Sequence, residues 1–233
     1  MMRAAVWARC ASRFAAGMRV LEMNCGTGED ALWLAHRGIA VLATDVSPAM
    51  LQVAGKKLAA SPGGAPVSFA RLAWEDLEGF DAGPFDGALS NFGGLNCVSD
   101  LPDAVRALAT KLRPGAVAIL CIMGPAVPWE WGWFLAQGKP AAAFRRLRRA
   151  GVPWSGITVH YPSIAATRRA AAPGFRVLRV SAIGALLPPP YTERRIGRYP
   201  RLIAALNRVE RRFESWWPLP LLADHYVVEL ERV

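Results

Sequence analysis

Between residues 18 and 124, short apolar runs alternate with longer stretches of helical period, and the first run ends in a glycine-bearing turn, LEMNCGTGED (21–30). MRVLEMN (18–24) reads as a buried strand and GEDALWLAHRG (28–38) as a helix stopped by Gly38. AVLATDV (40–46) is a second strand; Ser47 then caps a helix with Pro48 at its first position, running to about Ala60. VSFARLA (67–73) and FDGALSNF (85–92) are the third and fourth strands, and LPDAVRALATKLRPG is a helix leading into a fifth, AVAILCIMG (116–124). Strands and helices alternating at this spacing predict a parallel sheet covered on both faces.

After Gly124 the rhythm changes. A Trp-rich, then Arg-rich helical segment (129–150) precedes a short strand or turn, a helix and a strand near 175–184. A basic helix (about 200–214) and a last strand, HYVVELER (225–232), complete the chain, with SPGGAP (61–66) and LPPPY (187–191) as loops. The expected fold is α/β: a Rossmann-like, doubly wound, seven-stranded, mostly parallel sheet with an antiparallel last strand. A helical insertion after strand five faces the acceptor. A single domain is expected over 1–233, with 18–124 as the cofactor half and 125–233 as the acceptor-side half.

Composition narrows the class. A chain of 233 residues that is 53% hydrophobic can bury one sizeable core and is not disordered. No apolar run approaches the roughly 20 residues needed to span a bilayer, and MMRAAVWARC lacks the apolar centre of a signal peptide. Cys10, Cys25, Cys97 and Cys121 are scattered, so a reduced cytoplasmic protein without a structural metal is expected. The formal charge of +10 is concentrated in residues 139–212, where 16 Lys/Arg face 2 Asp/Glu. Such a field favours acidic small molecules, nucleic acid or anionic lipid. The 24 Arg against 4 Lys also fit the bias of a GC-rich genome.

A strand that ends in a glycine turn and opens a helix aims backbone N–H groups at a ligand. Gly26 and Gly28 permit close approach, and Asn24 stands where positive φ is often needed, a region Asn tolerates best among non-glycine residues. GTGEDA also satisfies the dinucleotide pattern, and Asp45, 17 residues after Gly28, can accept ribose hydroxyls from either class of ligand. Charge separates the two. Glu22, Glu29 and Asp30 would repel a pyrophosphate and attract the sulfonium and ammonium of S-adenosylmethionine (SAM).

VLEMNCGTGEDALWLA, ATDVSPAML, FARLAWEDL, FDGALSNFGGLNCVSDL and LRPGA, in this order and spacing, resemble class I SAM-dependent methyltransferases. The resemblance is to the small-molecule branch related to ubiquinone and menaquinone biosynthesis. It covers 18–124 and implies that Glu22, Asn24, Cys25, Gly26 and Gly28 surround the methionine portion, Asp45 binds the ribose, and Val46 and Met50 flank the adenine. At position 73 the family usually has an acid contacting the adenine amine; here it is Ala73, leaving Trp74 to stack or pack and Glu75 or Asp76 to substitute. Asn91 lies where the family places a residue near the methyl group. Relatives usually carry an extra N-terminal helix with a tyrosine over SAM, whereas 17 residues precede the first strand here.

Methyl transfer to a hydroxyl or acidic carbon benefits from a base, and a neutral amine needs none. His160 and His225 are the candidate bases, each also readable as structural, while His36 ends a surface helix. Trp129, Trp133 and Tyr161 are candidate walls of an apolar acceptor pocket. Leu202, Leu206, Val209 and Phe213 share a helical face near Arg201, Arg208, Arg212 and Trp216–Trp217, a pattern that suits either a solvated cover helix or contact with an anionic membrane. The leading reading is transfer to a small aromatic or apolar metabolite. RNA methylation and a non-catalytic SAM-binding partner domain are the alternatives; the tryptophans and the lack of a recognisable RNA-binding appendage argue against nucleic acid.

Overall fold

The computed structural model describes residues 2–61, 65–187 and 199–233; SPGGAP and LPPPY lie partly outside them. Five strands come first: β1 (Arg19–Met23), β2 (Ala40–Asp45), β3 (Val67–Arg71), β4 (Phe85–Ser90) and β5 (Leu112–Met123). Between and before them lie α1 (Met2–Arg13), α2 (Glu29–Ala35), α3 (Pro48–Ala59) and α4 (Leu101–Thr110). Two short helices, α5 (Pro128–Leu135) and α6 (Pro140–Ala143), lead to a hairpin of β6 (Val152–Trp154) and β7 (Ile157–Val159). Then follow α7 (Ile164–Ala171), β8 (Phe175–Ile183), the basic helix α8 (Pro200–Phe213) and β9 (His225–Arg232).

The main sheet has the order β3-β2-β1-β4-β5-β9-β8. β1 to β5 pair in parallel, and β9 runs antiparallel to both neighbours. This is the doubly wound architecture with an antiparallel last strand that the sequence predicts. Because side chains alternate across a strand, Val20, Leu89, Ile119 and Cys121 enter one core with Val6, Cys10 and Leu34 of α1 and α2. Leu21, Met23, Ala88, Leu120 and Ile122 enter the other, with Leu108 of α4 and Ile164 of α7. Tyr226 is fully buried there, and its hydroxyl bonds Thr167 Oγ1 (2.7 Å) and the Pro162 carbonyl (2.9 Å), fixing α7 to β9.

Ser47 caps α3 by accepting the Met50 N–H, as its position before Pro48 predicts. Asp100 does the same for α4 through the Asp103 N–H. The 17-residue N-terminal segment forms a helix after all. Arg9 bonds Ser181 (2.9 Å) and pairs with Glu214 (2.8 Å), and Arg13 pairs with Glu229 (2.7 Å), so α1 is locked to the sheet face by ions that a hydropathy reading passes over. The order of strands reverses direction between β1 and β4, and in open α/β sheets ligands bind outside the carboxyl ends at such a switch point.

Candidate active site

The turn after β1 has the backbone its residues prescribe. Asn24 (φ 58°), Gly26 (φ 54°) and Gly28 (φ 77°) are all left-handed. A Cβ on Gly28 would come within 3.0 Å of Ala54 and 3.2 Å of Phe69, so this glycine lets α2 sit close to α3 and β3. A Cβ on Gly26 would meet nothing within 4 Å; the backbone there faces open space.

Around the turn stand three carboxylates. Asp45, ending β2, accepts the Gly26 N–H (2.9 Å) and the Ser47 N–H (2.9 Å), tying the glycine turn to the start of α3. Asp30, in the first turn of α2, accepts from Arg3 (2.5 Å), Trp7 Nε1 (2.6 Å) and Asn91 Nδ2 (2.9 Å). Glu22 is 1% exposed, and its Oε2 has no hydrogen-bond partner among the described residues. Burial, reinforced by Asp30 and Asp45 and opposed by Arg3, pushes its carboxyl well above the usual range.

The ring of acids differs from the expected one. Glu29 turns outward to Lys57 (2.5 Å), whose hydrogen bond lowers its carboxyl, so it does not face the turn. Arg3, stacked over Phe92 at 5.0 Å, stands among the acids instead. Arg3 and Trp7 escaped the sequence reading because their partner lies 27 and 23 residues away.

Trp74 is core: it packs among Leu72 and Leu77 and donates Nε1 to Asn24 Oδ1 at 2.5 Å. Gly94 lies directly on Asn24, where a Cβ would approach to 2.4 Å, so the loop after β4 closes on the glycine turn. Glu75 and Asp76 are exposed. Val46 (48% exposed) and Met50 (45%) offer an open apolar surface beyond Asp45. Cys25 is buried, and burial, helped by Glu22 and Asp45, drives its thiol upward, so it does not act as a thiolate.

Asn91 ends at the site, but both polar atoms of its side chain are engaged: Nδ2 on Asp30 and Oδ1 on the Phe92 N–H (3.0 Å). Phe92 meets the His225 ring edge-on at 5.4 Å. His225 begins β9 opposite Met123, the last residue of β5, which places it at the carboxyl edge of the sheet. Its Nδ1 is 3.0 Å from Asp224 Oδ2. Burial alone would raise Asp224, but His225 and Arg146 bring it down to about 2. An ionised Asp224 keeps the proton of neutral His225 on Nδ1 and leaves Nε2 as the acceptor.

Arg146 completes this network. It reaches Glu130 through Nε (2.7 Å), Asp224 through a terminal nitrogen (2.7 Å), and the Gly124 and Asp224 carbonyls, and it stacks on Tyr161 at 5.2 Å. Arg145 pairs with the other Glu130 oxygen. His160 and Tyr161 line a large cavity beside this network, while Trp129 and Trp133 lie outside its lining. Asn96, fully buried, positions the segment by bonding the His160 carbonyl (2.6 Å) and both backbone polar groups of Met123. Among the described residues no group of three His, Cys, Asp or Glu side chains could hold a metal ion.

The residues around the turn fit a nucleoside bearing positive charge. Glu22 holds a buried, unpartnered oxygen, Asp45 stands at the end of β2, Gly26 faces open space, and Val46 and Met50 supply apolar surface.

Residues 20–115 match the methyltransferase domain family. The chain is 35% identical over 105 residues to a ubiquinone biosynthesis O-methyltransferase of Xanthomonas axonopodis pv. citri, covering 45% of this chain and 43% of that protein. It is 35% identical over 114 residues to a demethylmenaquinone methyltransferase of Clavibacter sepedonicus, covering 48% and 44%. This chain therefore spans less than half the length of these two curated relatives. Its fold is similar to the crystal structure of an S-adenosylmethionine dependent methyltransferase from Mesorhizobium loti, with a TM-score of 0.63, 19% identity and full coverage of both chains.

Proposed function

We propose that this chain is a class I SAM-dependent methyltransferase that methylates a small, apolar-bodied metabolite, a reading supported by the methyltransferase-domain match over residues 20–115 and by its fold. The observation that carries the reading is Glu22, a buried carboxyl with an oxygen that has no partner among the described residues, beside an open glycine turn. When bound, SAM supplies a methyl group on a positively charged sulfur, set up for in-line displacement. Glu22, Asn24, Cys25, Gly26 and Gly28 would hold its methionine portion, Asp45 its ribose and Val46 with Met50 its adenine. Asn91 braces the loop after β4 against Asp30 and so shapes the floor on which the acceptor approaches. His225, oriented by Asp224, takes the proton from an acceptor hydroxyl or acidic carbon; His160 lines the neighbouring cavity as a second polar group.

Labelled-methyl transfer from SAM to a host extract, with mass identification of the product, tests the activity. Asp45→Ala is expected to weaken SAM binding at least about tenfold by calorimetry, because a charge-assisted hydrogen bond contributes about 1.5–3 kcal/mol. Unchanged affinity would remove Asp45 from the ribose site.

The exposed side of α8 supports a second proposal, peripheral contact of 201–217 with an anionic membrane. Glu210 accepts the Gly184 and Leu186 N–H groups (2.8 and 2.7 Å), and Glu214 pairs with Arg9 and Arg179, so the acids of the helix face the body. Leu202, Val209, Trp216 (69% exposed) and Trp217 (70%) face outward beside exposed Arg201, Arg208 and Arg212. Among the described residues no helix is long and apolar enough to cross a membrane. Cosedimentation with phosphatidylglycerol vesicles is expected, falling several-fold for the Trp216→Ala/Trp217→Ala chain and in high salt; binding that ignores both changes would dismiss the contact. A cytoplasmic location belongs with the same proposal.

A further inference from the structure

A cavity of about 1130 Å³ opens off the carboxyl ends of β4 and β5, bounded by α4, α7 and the chain after α6. Its floor is apolar, with Leu95, Val98 and Leu101 from the β4 side and Ala166 and Ala170 from α7. Five arginines line it against two aspartates. The aspartates are already engaged: Asp100 caps α4 and Asp103 pairs with Arg106 at 2.5 Å. Two arginines are engaged as well, Arg106 by Asp103 and Glu78, and Arg146 by Glu130 and Asp224. Arg148, Arg149 and Arg169 are exposed and have no carboxylate partner among the described residues. Apart from the ion-paired groups, the lining therefore sets three arginines against one carboxylate, Asp100, and its net charge is positive.

Scattered surface arginines are ordinarily solvated and mean nothing. These three differ because they line one concavity off the carboxyl ends of β4 and β5, where they outnumber its one carboxylate without a cationic partner. A guanidinium presents a planar fork that matches a carboxylate or phosphate. The volume exceeds that of a single ring and suits a ligand of drug size or larger.

We infer that the acceptor carries an anionic group, carboxylate or phosphate, on an apolar body, and that Arg148, Arg149 and Arg169 fix that group in this cavity. This rests on the proposed methyl transfer for the word acceptor; the anion site itself does not.

The test is calorimetric titration of the full chain with 2-naphthoate, 2-naphthyl phosphate and the neutral 2-naphthamide, with and without S-adenosylhomocysteine. At least one anion is expected to bind about tenfold or more tightly than the amide, and the tighter of the two identifies the group. The Arg148→Ala/Arg149→Ala/Arg169→Ala chain should lose the preference while keeping its affinity for S-adenosylhomocysteine, and the corresponding triple Lys chain should retain part of it. Equal binding of anion and amide, no binding of either anion at millimolar concentration, or a preference that survives the triple Ala substitution overturns the inference. If the Ala chain misfolds, the Lys chain decides, since a preference there equal to the wild type's at high salt would exclude guanidinium recognition. Arginine-dependent anion preference without any S-adenosylhomocysteine binding would instead sink the methyl-transfer reading and leave the anion site standing.

Discussion

Arg146→Met is expected to destabilise the fold by about 3–5 kcal/mol, because it leaves buried carboxylates without their shared cation. The side chain of Arg146 is 9% exposed, and Glu130 and Asp224 are equally hidden from water, so solvent cannot take over its role. For a chain of this size each kcal/mol shifts the melting temperature by about 2–4 °C, and a fall on the order of 10 °C should be read by calorimetric unfolding. Arg146→Lys restores charge without the fork that reaches Glu130, Asp224 and two carbonyls, and belongs in between. The sign of the pH dependence follows from Asp224. Its folded value, about 2, lies below the ordinary 3.8, so its contribution is complete above about pH 4 and is lost as pH falls through 2. The gap between wild type and Arg146→Met should narrow over that window. A loss below about 1 kcal/mol at pH 7 would mean that Arg145 and His225 suffice for the two acids.

The first half of the fold was legible because its signals are local. Each of β1 to β5 is a short apolar run, Ser47 and Pro48 mark the start of α3 side by side, and the glycine turn carries its own backbone demands in Asn24, Gly26 and Gly28. The polar interior was not legible, because its partners are distant in sequence. Asn91 meets Asp30 across 61 residues and Arg146 meets Asp224 across 78. Nothing local separates Arg146, buried in an ion network, from Arg148 and Arg149, which face the cavity. Glu29 and Asp30 are adjacent, yet one turns to Lys57 in solvent and the other is the hub for α1 and the β4 loop. Apolar bulk marks a place that excludes water, and Trp74 excludes it from the core, whereas the cavity is lined by Tyr161, aliphatic side chains and arginines.

His225→Gln is expected to lower kcat by about 10²–10⁴, the usual worth of a positioned general base, with SAM affinity within about twofold of wild type. Asp224 holds Nδ1 at 3.0 Å, Phe92 packs on the ring edge-on, and the residue begins β9 at the carboxyl end of β5, beside the loop that Asn91 anchors. Nε2 has no protein partner among the described residues, so it is the atom left to accept a proton. Glutamine preserves the hydrogen bond to Asp224 and much of the volume but cannot take up a proton at neutral pH. A purely structural role would therefore leave kcat nearly intact in this variant. Retention of more than a tenth of wild-type kcat with the acceptor identified by labelled-methyl transfer would return His225 to structure and place the acceptor among neutral amines, which need no base.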